Sequence, residues 1–150
     1  MKKKFLLIIF LITFALSAKC NQPENLTPQE FLKYLIKVFN SQNSAILKEL
    51  FQYPHVKIIN GKLTIANNKN IVAWDFEKLR QSGWVRSKFF NMQLYKEGDN
   101  SAIISAFLIR FDKDDKKIHQ GEIYYVLTKK EKKWQIISVT SVGNIIGAKN

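Results

Sequence analysis

Cysteine is all but missing from this chain: one residue, Cys20, in 150. A lone thiol excludes an intramolecular disulfide, and with two histidines, His55 and His119, spaced far apart, no Cys/His zinc set can be assembled. Glycine is scarce at six residues, so there is no glycine-rich phosphate loop, and no serine sits in a nucleophile elbow. Acidic residues are half as numerous as basic ones, 12 against 24. Their one cluster, Asp112, Asp114 and Asp115, is interleaved with lysines and followed by no glycine. A calcium loop is therefore a poor fit, and a solvated hairpin tip is expected. Uncharged apolar runs are short, and the longest, residues 5–14, is too short to span a bilayer.

That run has a different use. Lys2, Lys3 and Lys4 precede it, and the small residues of Ala15-Leu16-Ser17-Ala18 follow it, so residues 1–19 are expected to be an export signal. Cys20 stands where that signal ends. Acylation there would tether the chain to a membrane, although Ser17 and Lys19 depart from the usual lipobox. Cleavage after Ala18, leaving a free thiol, is the alternative. The expected location is the periplasm or the exterior, with a lipid anchor in the envelope as the other outcome. Removing Lys2, Lys3, Lys4 and Lys19 from the 24 basic residues leaves 20 against 12 acidic ones, a net of +8. The remaining charge is scattered, as on a solvated surface, and no nucleic-acid-binding motif accompanies it.

About 131 residues then remain, enough for one modest core. Residues 20–26 read as a polar tether. Thr27-Pro28-Gln29-Glu30 is a capping box with proline at the first helical position, and apolar residues continue at helical spacing to Phe39. A second helix is expected over 44–51, stopped by Tyr53-Pro54. Strands 55–59 and 62–66 flank Asn60-Gly61, a strong two-residue hairpin signal. A third helix is expected over 71–82, closed by Gly83. Four antiparallel strands follow at about 85–95, 101–112, 118–128 and 134–142, rich in Ile, Val, Phe, Tyr and Thr and separated by short polar runs. Residues 143–150 are a tail without an assignment.

Several of these segments resemble the nuclear transport factor 2-like superfamily, in its bacterial SnoaL-like branch. The features that carry the likeness are the 44–51 segment before Pro54 and the strand at 55–59, and the third helix running into Gly83-Trp84. Gly98-Asp99-Asn100-Ser101-Ala102 before a long strand and Lys133-Trp134-Gln135-Ile136-Ile137-Ser138 opening the last one belong to it too. The resemblance spans 27–142. It implies an α+β fold, a cone-shaped curved antiparallel sheet wrapped around three N-terminal helices, with a conical pocket. Some relatives are isomerases, cyclases or dehydratases, and many only bind ligands or partners.

On such a scaffold an enzyme needs a general base and a hydrogen-bond donor in the pocket. Both histidines are expected at the surface. Arg110 ends an otherwise apolar strand face, Ala102, Ile104, Ala106 and Leu108. If Arg110 pairs opposite Gln120, Glu122 and Tyr124 share that face; a slip of one residue brings His119 and Tyr125 there instead. Arg110, Glu122, Tyr124, Trp74 and Asp75 are therefore the pocket candidates. Arg110 has an alternative as a strand-end residue reaching solvent, and Asp75 as a helix N-terminal charge. No catalytic residue, metal ligand or cofactor is assigned. The expected function is non-catalytic binding of a small apolar molecule or an envelope protein. The alternative is a cofactor-independent isomerase, dehydratase or cyclase with Glu122 or Asp75 as base. The other face of the Arg110 strand, Ile103, Phe107, Ile109 and Phe111, is also apolar, so a homodimer through the outer sheet face is expected, unless the tail covers it.

Overall fold

Helix α1, Pro28–Asn40, begins as its residues dictate. The Thr27 amide donates to Glu30 Oε2 at 2.8 Å, and the Glu30 amide donates to Thr27 Oγ1 at 3.2 Å, closing the capping box. The helix buries Phe31, Leu32, Leu35, Val38 and Phe39. The computed structural model describes residues 22–70 and 74–142. The expected leader 1–19, Cys20 and the tail 143–150 lie outside the described residues.

The expected tether is tied down where it is described. The Asn25 amide donates to Lys132 O at 3.0 Å, and Leu26 O accepts the Trp134 indole N–H at 2.8 Å. Helix α2, Ser44–Glu49, is shorter than expected, because β1, Phe51–Ile59, starts before the proline. Phe51 is already paired with Ile136, and Pro54, after a cis peptide bond, falls in the register irregularity between Phe51 and Val56. Asn60 and Gly61, both at positive φ, turn the chain into β2, Lys62–Ala66. Helix α3 spans only Phe76–Gln81, because Asp75 is its N-cap in extended conformation, accepting from the Lys78 amide at 3.1 Å. The rest of the expected helix, residues 71–73, lies outside the described residues.

Strands β3, Arg86–Glu97, β4, Ser101–Phe111, β5, Lys117–Lys130, and β6, Lys133–Val142, form an antiparallel meander. The sheet order is β2-β1-β6-β5-β4-β3, with β1 parallel to β6, so this α+β fold has a mixed sheet rather than a wholly antiparallel one. The sheet is open, with β2 and β3 at its edges. Every strand pairing except β1 with β2 contains a register irregularity, the kind of defect that bends strands. Helix α1 covers one face. Its C-terminal Asn40 grips edge strand β3, donating to Ser87 O at 2.9 Å and accepting from the Ser87 amide at 2.8 Å.

The β4–β5 hairpin sets which side chains meet under α1. Asp112 Oδ1 accepts from the amides of Asp114 and Lys116, both at 2.9 Å, and fixes the turn. Phe111 pairs with Lys117 but Arg110 pairs with His119, so Ile118 is an extra residue, a bulge. From there on Ala106 faces Ile123 and Ile104 faces Tyr125. On the outer face of β4, Ile109 and Phe111 are buried within the chain. The Arg86 guanidinium lies 4.3 Å from the Phe111 ring centroid and the Lys88 ammonium 6.0 Å from it, so long basic side chains cover the Phe111 end of that apolar row. Ile103 stays exposed.

Two stability measurements follow from these contacts. Trp134 is fully buried, so Trp134→Ala is expected to cost about 3–5 kcal/mol, seen as a large drop in urea midpoint. Asp112→Ala removes two turn hydrogen bonds at an exposed tip and is expected to cost about 1 kcal/mol in the same assay.

Candidate functional site

The face of the sheet under α1 is not fully filled. Between them lies a cavity of about 80 Å³, well above what one water needs and about half the volume of an apolar cavity that takes benzene. Helix α1 contributes Leu35, Ile36 and Phe39, and Trp74 leans in from the approach to α3. The strands supply alternate residues, as their pleat requires: Phe51, His55, Lys57 and Ile59 from β1, Leu108 and Arg110 from β4, Ile123 and Tyr125 from β5, with Phe89 and Val139 from their neighbours. The aromatic wall is continuous. Ring centroids are 6.1 Å apart for Phe39 and Trp74, 4.6 Å for Trp74 and Phe51, and 5.0 Å for Phe51 and His55.

Arg110 and Trp74 therefore line the cavity; Glu122, Tyr124 and Asp75 do not. The bulge at Ile118 puts Glu122 and Tyr124 on the outer face of the sheet. There Glu122 accepts from Ser105 Oγ at 3.0 Å and from the Tyr124 hydroxyl at 2.9 Å. That bond to the carboxylate, with burial second, pushes the Tyr124 phenol up to about 12. Asp75 caps α3 at the surface, and its hydrogen bond from the Lys78 amide holds its carboxyl below the usual range. The place expected for Glu122 and Tyr124 is taken by Ile123 and Tyr125. The slip-by-one register brings Tyr125 onto the Arg110 face and His119 beside Arg110.

Arg110 is 6% exposed, and its guanidinium carbon lies 5.9 Å from the Phe39 ring centroid. Burial lowers it to about 10, with Tyr125 acting in the opposite direction, so it stays charged at neutral pH. Tyr125 is raised above its ordinary value by burial. His55, expected at the surface, is 2% exposed. It shares the inward face of β1 with Phe51, and its Nδ1 is buried without a hydrogen-bond partner among the described residues. Burial, then Lys57, holds its imidazole below the ordinary value, so it is neutral at pH 7. Lys57 is lowered by burial and then by Lys62. Strand alternation counted from Phe51 is the signal that places His55 inward; a strand taken to start at His55 hides it. None of the 12 acidic residues lines the cavity, and all 12 are among the described residues. Among the described residues no group of three or more His, Cys, Asp or Glu side chains is placed to hold a metal ion.

The sheet order, the helix seated on one face and the cavity between them agree with a family match over residues 24–144. The chain is an NTF2-like protein of the DUF6841 family. This NTF2-like protein resembles solved structures at low identity. An NTF-2-like protein of unknown function from Shewanella oneidensis MR-1 has a TM-score of 0.61 at 14% identity, covering 75% of this chain and 93% of that one. A cystatin-like-fold protein of unknown function from Nostoc punctiforme PCC 73102 has a TM-score of 0.63 at 12% identity, covering 80% and 90%. An NTF2-like protein with a cystatin-like fold from Novosphingobium aromaticivorans has a TM-score of 0.57 at 13% identity, covering 79% and 80%. These likenesses establish the fold. No curated sequence is similar enough to the chain to count as a match.

The buried imidazole of this NTF2-like protein gives a pH signature. Unfolded, His55 takes up a proton as pH falls through about 6.5, while folded it resists until lower pH. The unfolded state then binds more protons, so stability falls as pH drops below about 6.5 and is unaffected by this group above it. His119, lowered by burial and then by Arg110, acts in the same sense. The depressed carboxyls Glu30, Asp75 and Glu77 act in a separate window, below about 4.5. The urea midpoint is expected to decline between pH 7 and pH 5, and less steeply in His55→Gln.

Proposed function

We propose that the protein is an exported, non-catalytic NTF2-like domain that binds a small apolar ligand in the cavity between α1 and the sheet, in the cell envelope. One observation carries the binding reading. The cavity wall is largely aromatic and aliphatic, with a few polar groups at fixed positions and no carboxylate, which is the composition of a ligand site rather than of an acid–base pair. The sequence of residues 1–19 supports export, with acylation at Cys20 or a free thiol there as the two forms of the mature end. Among the described residues no helix is long and apolar enough to cross a membrane.

The catalytic alternative, an isomerase, dehydratase or cyclase without a cofactor, loses the two carboxylates on which it depends. His55 is the group that keeps it in view, being a neutral imidazole in the cavity whose wall also holds Arg110 and Tyr125. Self-association is proposed through the outer face of the sheet. Tyr95, Ile103 and Val126 are exposed there, and the last two are direct cross-strand partners.

Native mass spectrometry of the protein taken from the envelope fraction tests these readings together. The expected result is a homodimer lacking residues 1–19 or thereabouts, carrying a small organic molecule that is recovered chemically unchanged. A cytoplasmic protein that keeps Met1 defeats export. An empty protein that also takes up no apolar compound defeats the binding reading, and a ligand converted to an isomer on incubation transfers the case to the enzyme.

A further inference from the structure

A second cleft, of about 290 Å³, opens at the tip of the β5–β6 hairpin and shares no lining residue with the apolar cavity. It has more than three times the cavity's volume, close to the lower bound of small-molecule sites at about 300 Å³. All six lining residues are polar: Gln22, Glu49, Lys130, Glu131, Lys133 and Gln135. Three separate stretches bring them together. The Asn25 amide donates to Lys132 O at 3.0 Å and holds the segment before α1 against the hairpin turn. Gln135 Nε2 donates to Glu49 O at 3.2 Å and joins β6 to the end of α2. The turn itself is only Glu131 and Lys132, both at positive φ, so Lys130 and Lys133 stand as direct cross-strand partners.

The charges of this cleft are incompletely matched. Glu49 is occupied, both of its carboxylate oxygens accepting from Lys69 Nζ at 2.6 Å. Lys130, Lys133 and Glu131 have no ion pair among the described residues, which leaves two cations against one carboxylate. Like charges directly opposite on paired strands repel, and an anion held between them offsets that cost. A second observation points to the same chemistry. Gln22 is 6% exposed, and its amide Nε2 is buried without an acceptor among the described residues. We propose that the cleft binds a phosphate monoester of a small polyol. The phosphate bridges Lys130 and Lys133 with Gln22 as an amide donor, and the hydroxyls bond to Glu131 and Gln135. A phosphate monoester carries a charge of about −1.5 to −2 at neutral pH, which matches the two lysines. An apolar molecule meets no apolar wall there, and a neutral polyol leaves the lysine pair unrelieved.

Glycerol 3-phosphate, glycerol and inorganic phosphate are the probes, with the diester glycerophosphoglycerol standing for a lipid head group. Calorimetric titration of the purified protein at low salt is expected to show the monoester binding about tenfold or more tightly than glycerol. Its advantage over inorganic phosphate, and over the singly charged diester, is expected to be about threefold or more. Lys130→Gln and Lys133→Gln are each expected to weaken the monoester about threefold or more, whereas Lys117→Gln, an exposed lysine at the start of β5, leaves it unchanged. In Glu131→Gln the advantage of the monoester over inorganic phosphate is expected to shrink. Glycerol or inorganic phosphate binding as tightly as the monoester overturns the proposal. Equal weakening in Lys117→Gln overturns it too, because the attraction is then a diffuse effect of charge, as does monoester binding unchanged in both cleft variants. A diester that binds as tightly as the monoester overturns the assignment in favour of a lipid head group. No binding of the monoester at millimolar concentration removes the site and leaves the reading of the apolar cavity standing.

Discussion

The pocket depends on one extra residue in a hairpin. With Phe111 opposite Lys117 and no bulge, Arg110 would pair with Ile118, and the even-numbered residues of β5 would share its face. Glu122 and Tyr124 would then stand under α1. Ile118 intervenes, the parity of β5 reverses, and Ile123 and Tyr125 take those places. The turn that holds this arrangement is local: one carboxylate oxygen of Asp112 receives two amides, and Asp115 adopts positive φ. A change in the count of residues by one thus decides whether Arg110 shares the cavity with an acid, Glu122, or with the buried phenol of Tyr125.

The same bulge explains what could and could not be read in the residues. The capping box at Thr27, the Asn60-Gly61 turn and the four-strand meander are legible because each rests on interactions within a few residues. The parallel pairing of β1 with β6 is not, since neither strand carries a mark of its distant neighbour. The face of β5 is ambiguous for the same reason that its register is: alternation runs through Glu122, Tyr124 and Val126 on one side and through Ile123, Tyr125 and Leu127 on the other, and both sets have aromatic and aliphatic members. Arg110 and Trp74 stand out because an arginine at the end of an apolar row and a tryptophan beside a helix are conspicuous. His55 stays hidden because Pro54 suggests that the strand begins after it, whereas Phe51 already belongs to the sheet.

The two faces of the sheet use the same residue types in opposite ways. Inside, Arg110 lies beside the Phe39 ring and keeps its charge in a cavity whose wall has no acids. Outside, Arg86 and Lys88 lie over Phe111, with Arg86 bonded to Asp115. Glu122 illustrates the complementary case: held by two hydroxyls on the outer face, it joins Ser105, Tyr95 and Tyr124 into a polar patch next to exposed Ile103 and Val126. The chain's chemistry is therefore sorted by face more than by position in the sequence.

The parallel contact between β1 and β6 has a temporal meaning. Ile59 and Ser141 are cross-strand partners although 82 residues separate 59 from 141. Such a long closure is slow, because the chain loses the freedom of the whole intervening loop before the pairing repays it. A nascent chain that has reached only β5 has every aromatic of the cavity wall but no central strand to hold β1 against the meander. The seam between β1 and β6, and the cavity beside it, consequently cannot close before β6 has been made.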